Sequence, residues 1–397
     1  MIRSRIGKAM LHGVCSPVLW LIVIVFVVSG CGGVKVPKRQ ATVFWPDAEL
    51  PRVQFLMSIN GNYDVLERAS GLDLISFKDA EKTEMDPIIK PTGIAVHKNK
   101  IYICDGGRST VFSLDLVNKT YEKLKGNFSR GALGKPLNLA FDEDDNLYVA
   151  DAVRGDVAVY NAEGYFLKSI GREQGLNPTN VAVDGDYVFV LDTRKHALRV
   201  FDRHTGEFSH AIGEDDDLGE HRLYYPIGLS IDKDGFIYVA NIGSAKLTKF
   251  DRDGHVMNSF GKMGTNYGHF SRPRGIAVDD NLFTYVVDAA HENVQVFNEQ
   301  GRLLMFFADG KTQSPAGVTV TKESMDFFQT LAAPGFELDQ VLLVTSHFGN
   351  NRVGVYGMGK QRGIDYEAEY AEIKRKLQEL ADKEKAEQEK KDAASAQ

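Results

Sequence analysis

"KPTGIAV" at residues 90–96 returns as "KPLNLAF" at 135–141, "NPTNVAV" at 177–183, "YPIGLSI" at 225–231, "RPRGIAV" at 272–278 and "SPAGVTV" at 314–320. The prolines Pro91, Pro136, Pro178, Pro226, Pro273 and Pro315 are separated by 45, 42, 48, 47 and 42 residues. A phrase repeated at that period marks a repeat architecture in which each copy is one supersecondary unit. Each copy continues in the same order. A polar turn leads to an apolar run closed by a small polar residue: "IYICD" ends on Asp105, "LYVAD" on Asp151, "VFVLD" on Asp192, "IYVAN" on Asn241, "TYVVD" on Asp288 and "LLVTS" on Ser346. A third run follows, such as "VFSLD" at 111 or "VQVFN" at 294, and then a fourth such as "YFLKSIG" or "HVMNSFG". These segments have strand length, are rich in Val, Ile, Tyr and Phe, and are bounded by Gly, Asp and Asn.

Four strands per copy in six copies can close into a ring, which removes most exposed sheet edges. The pattern "PxGIAVDxxxxxYVxDxxxxxVQVF" resembles the NHL repeat, and the resemblance covers residues 91–357. It implies an all-β fold, a six-bladed β-propeller of four-stranded blades. The sixth copy stops after "VGVYG" without a fourth strand, while "RVQFLMSI", Arg52 to Ile59, stands alone before the first copy. The propeller is therefore expected over 52–360, with the strand at 52–59 closing blade six.

The two ends depart from the repeat. Residues 1–30 hold Arg3, Arg5 and Lys8, then an apolar run from Pro17 to Val28, then small residues. That is the layout of a secretory signal peptide, with an apolar run short for a membrane span. "VSGC", Val28 to Cys31, resembles the lipobox of bacterial lipoproteins. The resemblance implies lipid attachment at Cys31, a linker over 31–51 and, with Gly32 next, a cell-envelope protein of the outer membrane facing the periplasm or the cell surface. Residues 361–397 read as a charged helical tail, in which Tyr366, Tyr370, Ile373, Leu377 and Leu380 alternate at spacings of four and three. That narrow seam offers a helix for a partner over 366–380.

Signatures of chemistry are sparse. The chain has three cysteines and no CxxC or CxxCH; Cys104, within an apolar strand, reads as a small buried hydrophobe. There is no phosphate loop or dinucleotide fingerprint, and no cofactor is expected. "DEDDN" at 142–146 falls at a hairpin and reads as turn chemistry. The recurring Asp105, Asp151, Asp192 and Asp288 are too regular for catalysis; each is expected to bind backbone N–H groups of the loop that follows. Some NHL-type propellers are zinc enzymes with His ligands at the ring axis. His196, His291 and His347 lie in loops after the second strand, but out of register with one another. They are the candidates for an alternative reading, a metal-dependent hydrolase or lyase with its site at the central channel.

The formal charge of −7 and pI near 5.9 argue against nucleic acid as a partner. Without Arg3, Arg5 and Lys8 the charge falls to −10. Against that background the loops joining second and third strands carry Arg108, Arg154, Arg194, Lys195, Lys246 and Arg352, opposed by Asp156 and Glu292. The hairpins of the other face are acidic. The primary expectation is a non-catalytic, lipid-anchored envelope propeller for binding or scaffolding, whose basic face takes an envelope protein or an anionic polysaccharide. The long insertion at 321–340, with Phe327 and Phe328, is expected to pack under the ring or meet a partner.

Overall fold

The computed structural model describes residues 44–46, 50–66, 84–213, 219, 221–376, 378, 379 and 382. Among the described residues twenty-five strands, β1–β25 in chain order, form six antiparallel sheets. Blades one to five take four consecutive strands each, beginning at Pro91, Pro136, Pro178, Pro226 and Pro273. Blade six is composite. Its strands Thr312–Thr321 (β23), Phe336–Gly349 (β24) and Val353–Gln361 (β25) are joined by the N-terminal Val53–Ile59 (β2), which runs antiparallel to β25 with Val53 opposite Met358. Phe44–Trp45 (β1), in the stretch read as linker, adds a short fifth strand. The expected signal segment, Cys31 and the last part of the tail lie outside the described residues.

Why the opening phrase recurs is now physical. In blades one to five the proline opens the innermost strand and lies opposite the residue that closes the second, Pro91 with Asp105, Pro136 with Asp151, Pro178 with Asp192, Pro226 with Asn241 and Pro273 with Asp288, whereas in blade six Pro315 stands fourth in β23, opposite Ser346 within β24. Proline is tolerated at a strand's first residue because it owes no ladder hydrogen bond there. A register shift follows within three residues in all six blades, a bulge that bends the strand at the axis. There the innermost strands meet. A Cβ on Gly228 would lie 2.0 Å from the Arg274 carbonyl oxygen, and one on Gly317 would lie 2.3 Å from that of Thr92. Glycine holds these positions because neighbouring backbones touch.

The second and third strands are apolar on both faces because each sheet is sandwiched between two others. In "LYVAD", Leu147 and Val149 face blade one while Tyr148 and Ala150 face blade three. The buried apolar residues form six clusters, one at each seam. The seam between blades six and one includes Ile59, Val341 and Val355 against Ile94, Ile103 and Phe112. The 321–340 insertion contributes the helix Met325–Leu331 (α1), which packs on that seam with Phe328 buried and Phe327 mostly covered.

A second helix (α2) begins at 366. Its first residue docks on the ring: the buried Tyr366 hydroxyl donates to the Pro51 carbonyl at 2.7 Å and accepts the Gln361 N–H at 2.9 Å. Tyr370 and Ile373 remain exposed. No helix among the described residues is long and apolar enough to cross a membrane.

Candidate functional site

The recurring aspartates organise one face. Asp105 accepts the N–H groups of Ile89 and Lys90 on one side and of Gly107 and Arg108 on the other, at 2.7–3.2 Å. Asp151 does the same for Gly134, Lys135, Val153 and Arg154, and Asp288 for Ser271, Arg272, Ala290 and His291. All three are fully buried. The carboxylate thus clamps the loop after strand two, as expected, and also the residue before its own blade's proline. That second role presents the side chains of Lys90, Lys135 and Arg272, all exposed, at the start of the innermost strands.

The innermost strands enclose an axial cavity of about 90 Å³. Its walls come from all six blades, among them Thr92, Asn138, Asn180, Ile227, Arg274 and Gly317, with His347 from the loop of blade six. Blade six departs from the others here, since Ser346 replaces the clamping carboxylate. Arg274 Nη1 lies 3.2 Å from His347 Nδ1, and Arg352 donates to the His347 carbonyl. Burial, reinforced by Arg274, Lys90, Lys135 and Arg352, pushes the His347 imidazole down to about 4. Burial, with Arg272 adding to it, also lowers the Arg274 guanidinium from its ordinary value. One end of the channel is therefore strongly cationic, and its histidine is neutral at pH 7.

The six basic residues expected on this face separate into classes. Arg194 and Lys195 are exposed, Arg194 resting on the Gly175 carbonyl at 2.6 Å. Arg108 pairs with Asp86 at 3.1 Å. Lys246 begins the third strand of blade four and is half-buried, and Arg352 braces His347. Arg154 belongs to the scaffold instead of the presented surface. Its side chain is 8% exposed, paired with the buried Asp156 at 2.8 Å and bonded to the Arg130 and Ala132 carbonyls and Ser169. Its place two residues before a strand-opening aspartate accounts for this. Lys90, Lys135, Arg272 and Arg274 were missed, although they occupy the variable letters on either side of the repeated proline.

The three histidines have separate partners. His196 Nδ1 accepts the Tyr225 N–H at 3.2 Å, with its ring against Tyr224 and Tyr225. His291 meets Ser271 Oγ at 3.1 Å and Asp288, and only His347 lines the channel. Among the described residues the one group of potential ligand atoms close enough to share an ion is Asp251, Asp253 and His255, in an outer hairpin of blade four. There Asp251 already accepts the N–H groups of Asp253 and His255. "DEDDN" likewise proves to be a turn: Asp142 accepts from Asp144 N, Asn146 N and the Tyr148 hydroxyl. Cys104 is buried, and burial raises its thiol well above the usual range.

A larger hollow of about 1090 Å³ opens at the outer edge of blades five and six, between Trp45, Phe306, Met358 and Tyr370. Its buried amide, Gln340, is already bonded to Asp279 and the Tyr285 hydroxyl. Arg52, which also lines it, keeps an unpartnered Nη1, whereas the axial cavity gathers three such residues, Asn180, Arg274 and His347.

No protein-family profile matches the chain. Curated relatives include the Protein brain tumor of Drosophila melanogaster, 26% identical over 139 residues, covering 33% of this chain and 13% of that protein. Another is the probable peptidyl-alpha-hydroxyglycine alpha-amidating lyase pgal-1 of Caenorhabditis elegans, 24% identical over 153 residues and covering 37% and 41% respectively. The chain is a six-bladed propeller of NHL-like repeats. It spans less than half the length of these relatives. Among solved structures, a gluconolactonase of Xanthomonas campestris superposes with a TM-score of 0.50 at 18% identity, covering 68% of this chain and 86% of that one. At that identity the likeness speaks to the fold, since propellers carry many functions.

Proposed function

We propose that this propeller is a non-catalytic binding module, held to the bacterial cell envelope through lipid on Cys31, that captures an anionic envelope partner on the face where the loops after strand two open. The observation that carries this reading is the gathering of Lys90, Lys135, Arg272, Arg274 and Arg352 around one end of the axis in a chain of net negative charge. Such a local field steers an oppositely charged partner and raises its association rate. Exposed Ile89, Val153, Tyr224, Tyr225 and Phe348 accompany the cations, and aromatic anchors beside fixed charge are what interfaces use. The alternative of a metal-dependent hydrolase or lyase with His196, His291 and His347 as its ligands requires the three to converge at the channel, and only His347 stands there while His196 and His291 have partners outside it.

The test is capture from envelope membranes by crosslinking and pull-down. Arg194→Glu with Lys195→Glu should slow capture and flatten its salt dependence; unchanged binding would reject this face. Cys31→Ser should abolish fatty-acid incorporation, and labelled acyl chain on that variant would reject the anchor.

A further inference from the structure

Two polar atoms of cavity-lining residues at the channel end have no partner. The guanidinium has no lone pair, so the contact between Arg274 Nη1 and His347 Nδ1 makes Nδ1 the acceptor and leaves the imidazole proton on Nε2. That Nε2–H is buried and unbonded, as is the Arg274 Nε–H. Across the ring, the nine-tenths buried Asn180 gives its amide N–H to the Ile227 carbonyl at 3.2 Å and keeps an unpartnered Oδ1. Buried polar groups left unmatched carry a penalty of about 1–3 kcal/mol each, and in native structures they usually have a ligand, an ion or ordered water.

We propose that this end of the axial channel is a seat for one small oxyanion, a carboxylate or a phosphate group, gripped by Arg274 and His347. It deepens the reading above and rests on it only for the choice of face. Sign and size both point to this class. The partnerless atoms of the two cavity-lining residues, Arg274 Nε on blade five and His347 Nε2 on blade six, are donors, and the charged groups acting on His347 are Arg274, Lys90, Lys135 and Arg352. A cation has no carboxylate there to meet. The cavity of about 90 Å³ admits a single functional group and excludes a whole sugar or side chain of any length. A carboxylate or phosphate ester could enter it as the leading end of a larger partner lying on the face. Asn180 Oδ1 would accept from a hydroxyl beside that group, or from the protonated oxygen of a phosphate monoester.

The experiment uses the full chain in detergent at fixed ionic strength, with its histidine ring resonances resolved by NMR. Inorganic phosphate and glucuronate are titrated separately. An oxyanion on Nε2 favours the charged imidazole, so the His347 resonance should shift saturably and its pKa should rise by about one unit or more, a tenfold change in proton affinity. Whichever probe does this identifies phosphate or carboxylate as the preferred group. Arg274→Gln should weaken the effect about tenfold or more, and Arg194→Glu with Lys195→Glu should leave it intact. If neither probe moves the resonance up to concentrations on the order of tens of millimolar, water satisfies these donors and the seat is refuted. That outcome leaves the partner-binding face standing, whereas loss of capture alone leaves the seat standing. Should Arg274→Gln fail to fold, the wild-type titration decides.

Discussion

Gly317→Ala tests whether backbone contact at the axis accounts for the recurring phrase. The added Cβ would lie 2.3 Å from the Thr92 carbonyl oxygen, 3.0 Å from Thr345 Oγ1 and 3.2 Å from Gly93 Cα. Two of those three neighbours are backbone atoms of blade one, so blades six and one must separate to admit it. Thr345 Oγ1 accepts the Gly317 N–H at 2.8 Å and donates to the Thr92 carbonyl, so separation also strains a buried hydrogen-bonded link across the seam. Overpacking of about 1–3 kcal/mol plus a weakened buried hydrogen bond of about 1 kcal/mol gives roughly 2–4 kcal/mol. At about 2–4 °C per kcal/mol for a large domain, the melting temperature should fall by roughly 4–16 °C. Gly106→Ala is the control, because the nearest atom to its Cβ would be the Pro136 oxygen at 3.8 Å; it should stay within about 0.5 kcal/mol of the parent. Thermal unfolding followed by circular dichroism reads both. Equal melting of Gly317→Ala and the parent, or an equal fall in the control, would refute the reasoning.

Arg154→Ala should act on stability and leave capture by folded protein unchanged. It strands the fully buried Asp156, with only the exposed Arg172 at 3.8 Å to compensate, at about 3 kcal/mol by urea denaturation. His347, held near 4 when folded against about 6.5 unfolded, makes the unfolded chain bind more protons between those values. Its contribution is complete above the unfolded value and is lost as the pH falls toward 4. In buffer free of oxyanions the loss should approach about 2 kcal/mol, allowing for partial exposure, and His347→Gln should flatten that part of the urea-midpoint profile. Parallel profiles would contradict it. Tyr366→Phe should weaken the tail by about 1–3 kcal/mol, through the lost bonds to Pro51 and Gln361. Limited proteolysis should then release the tail earlier while the ring persists.

The ring was legible because the same physical demand is written six times. A proline near the start of the innermost strand and a bulge in all six copies, with a close-approach glycine in four, leave letters that no single copy would make convincing. The completion of blade six by β2 could be inferred because an orphan strand and a three-stranded copy need one another. The candidate site was less legible. Counting charge along the loops after strand two put Arg154 on the surface, though residues two apart near a strand end share a face and Asp156 takes it inward. The same count overlooked Lys90, Lys135, Arg272 and Arg274, because a residue flanking an invariant-looking proline reads as spacer until the strands are seen to start at a common axis. Nothing in the spacing of His347 distinguishes it from His196 or His291. Its burial in the channel depends on how far the blade-six loop reaches, which is a tertiary fact.

Because Val53 pairs with Met358, the last sheet cannot form until nearly the whole chain is present. Joining ends about 300 residues apart costs about 5 kcal/mol of chain entropy on the logarithmic scaling of loop closure. The five intermediate sheets offset this by bringing the two edges near each other before they meet. During synthesis β1 and β2 come out before the other strands and wait longest, leaving the β25-facing edge of β2 able to add to a foreign edge. A protein so constructed gains its final stability in one late step, and shielding of that edge during synthesis should govern its yield more than the stability of any single blade.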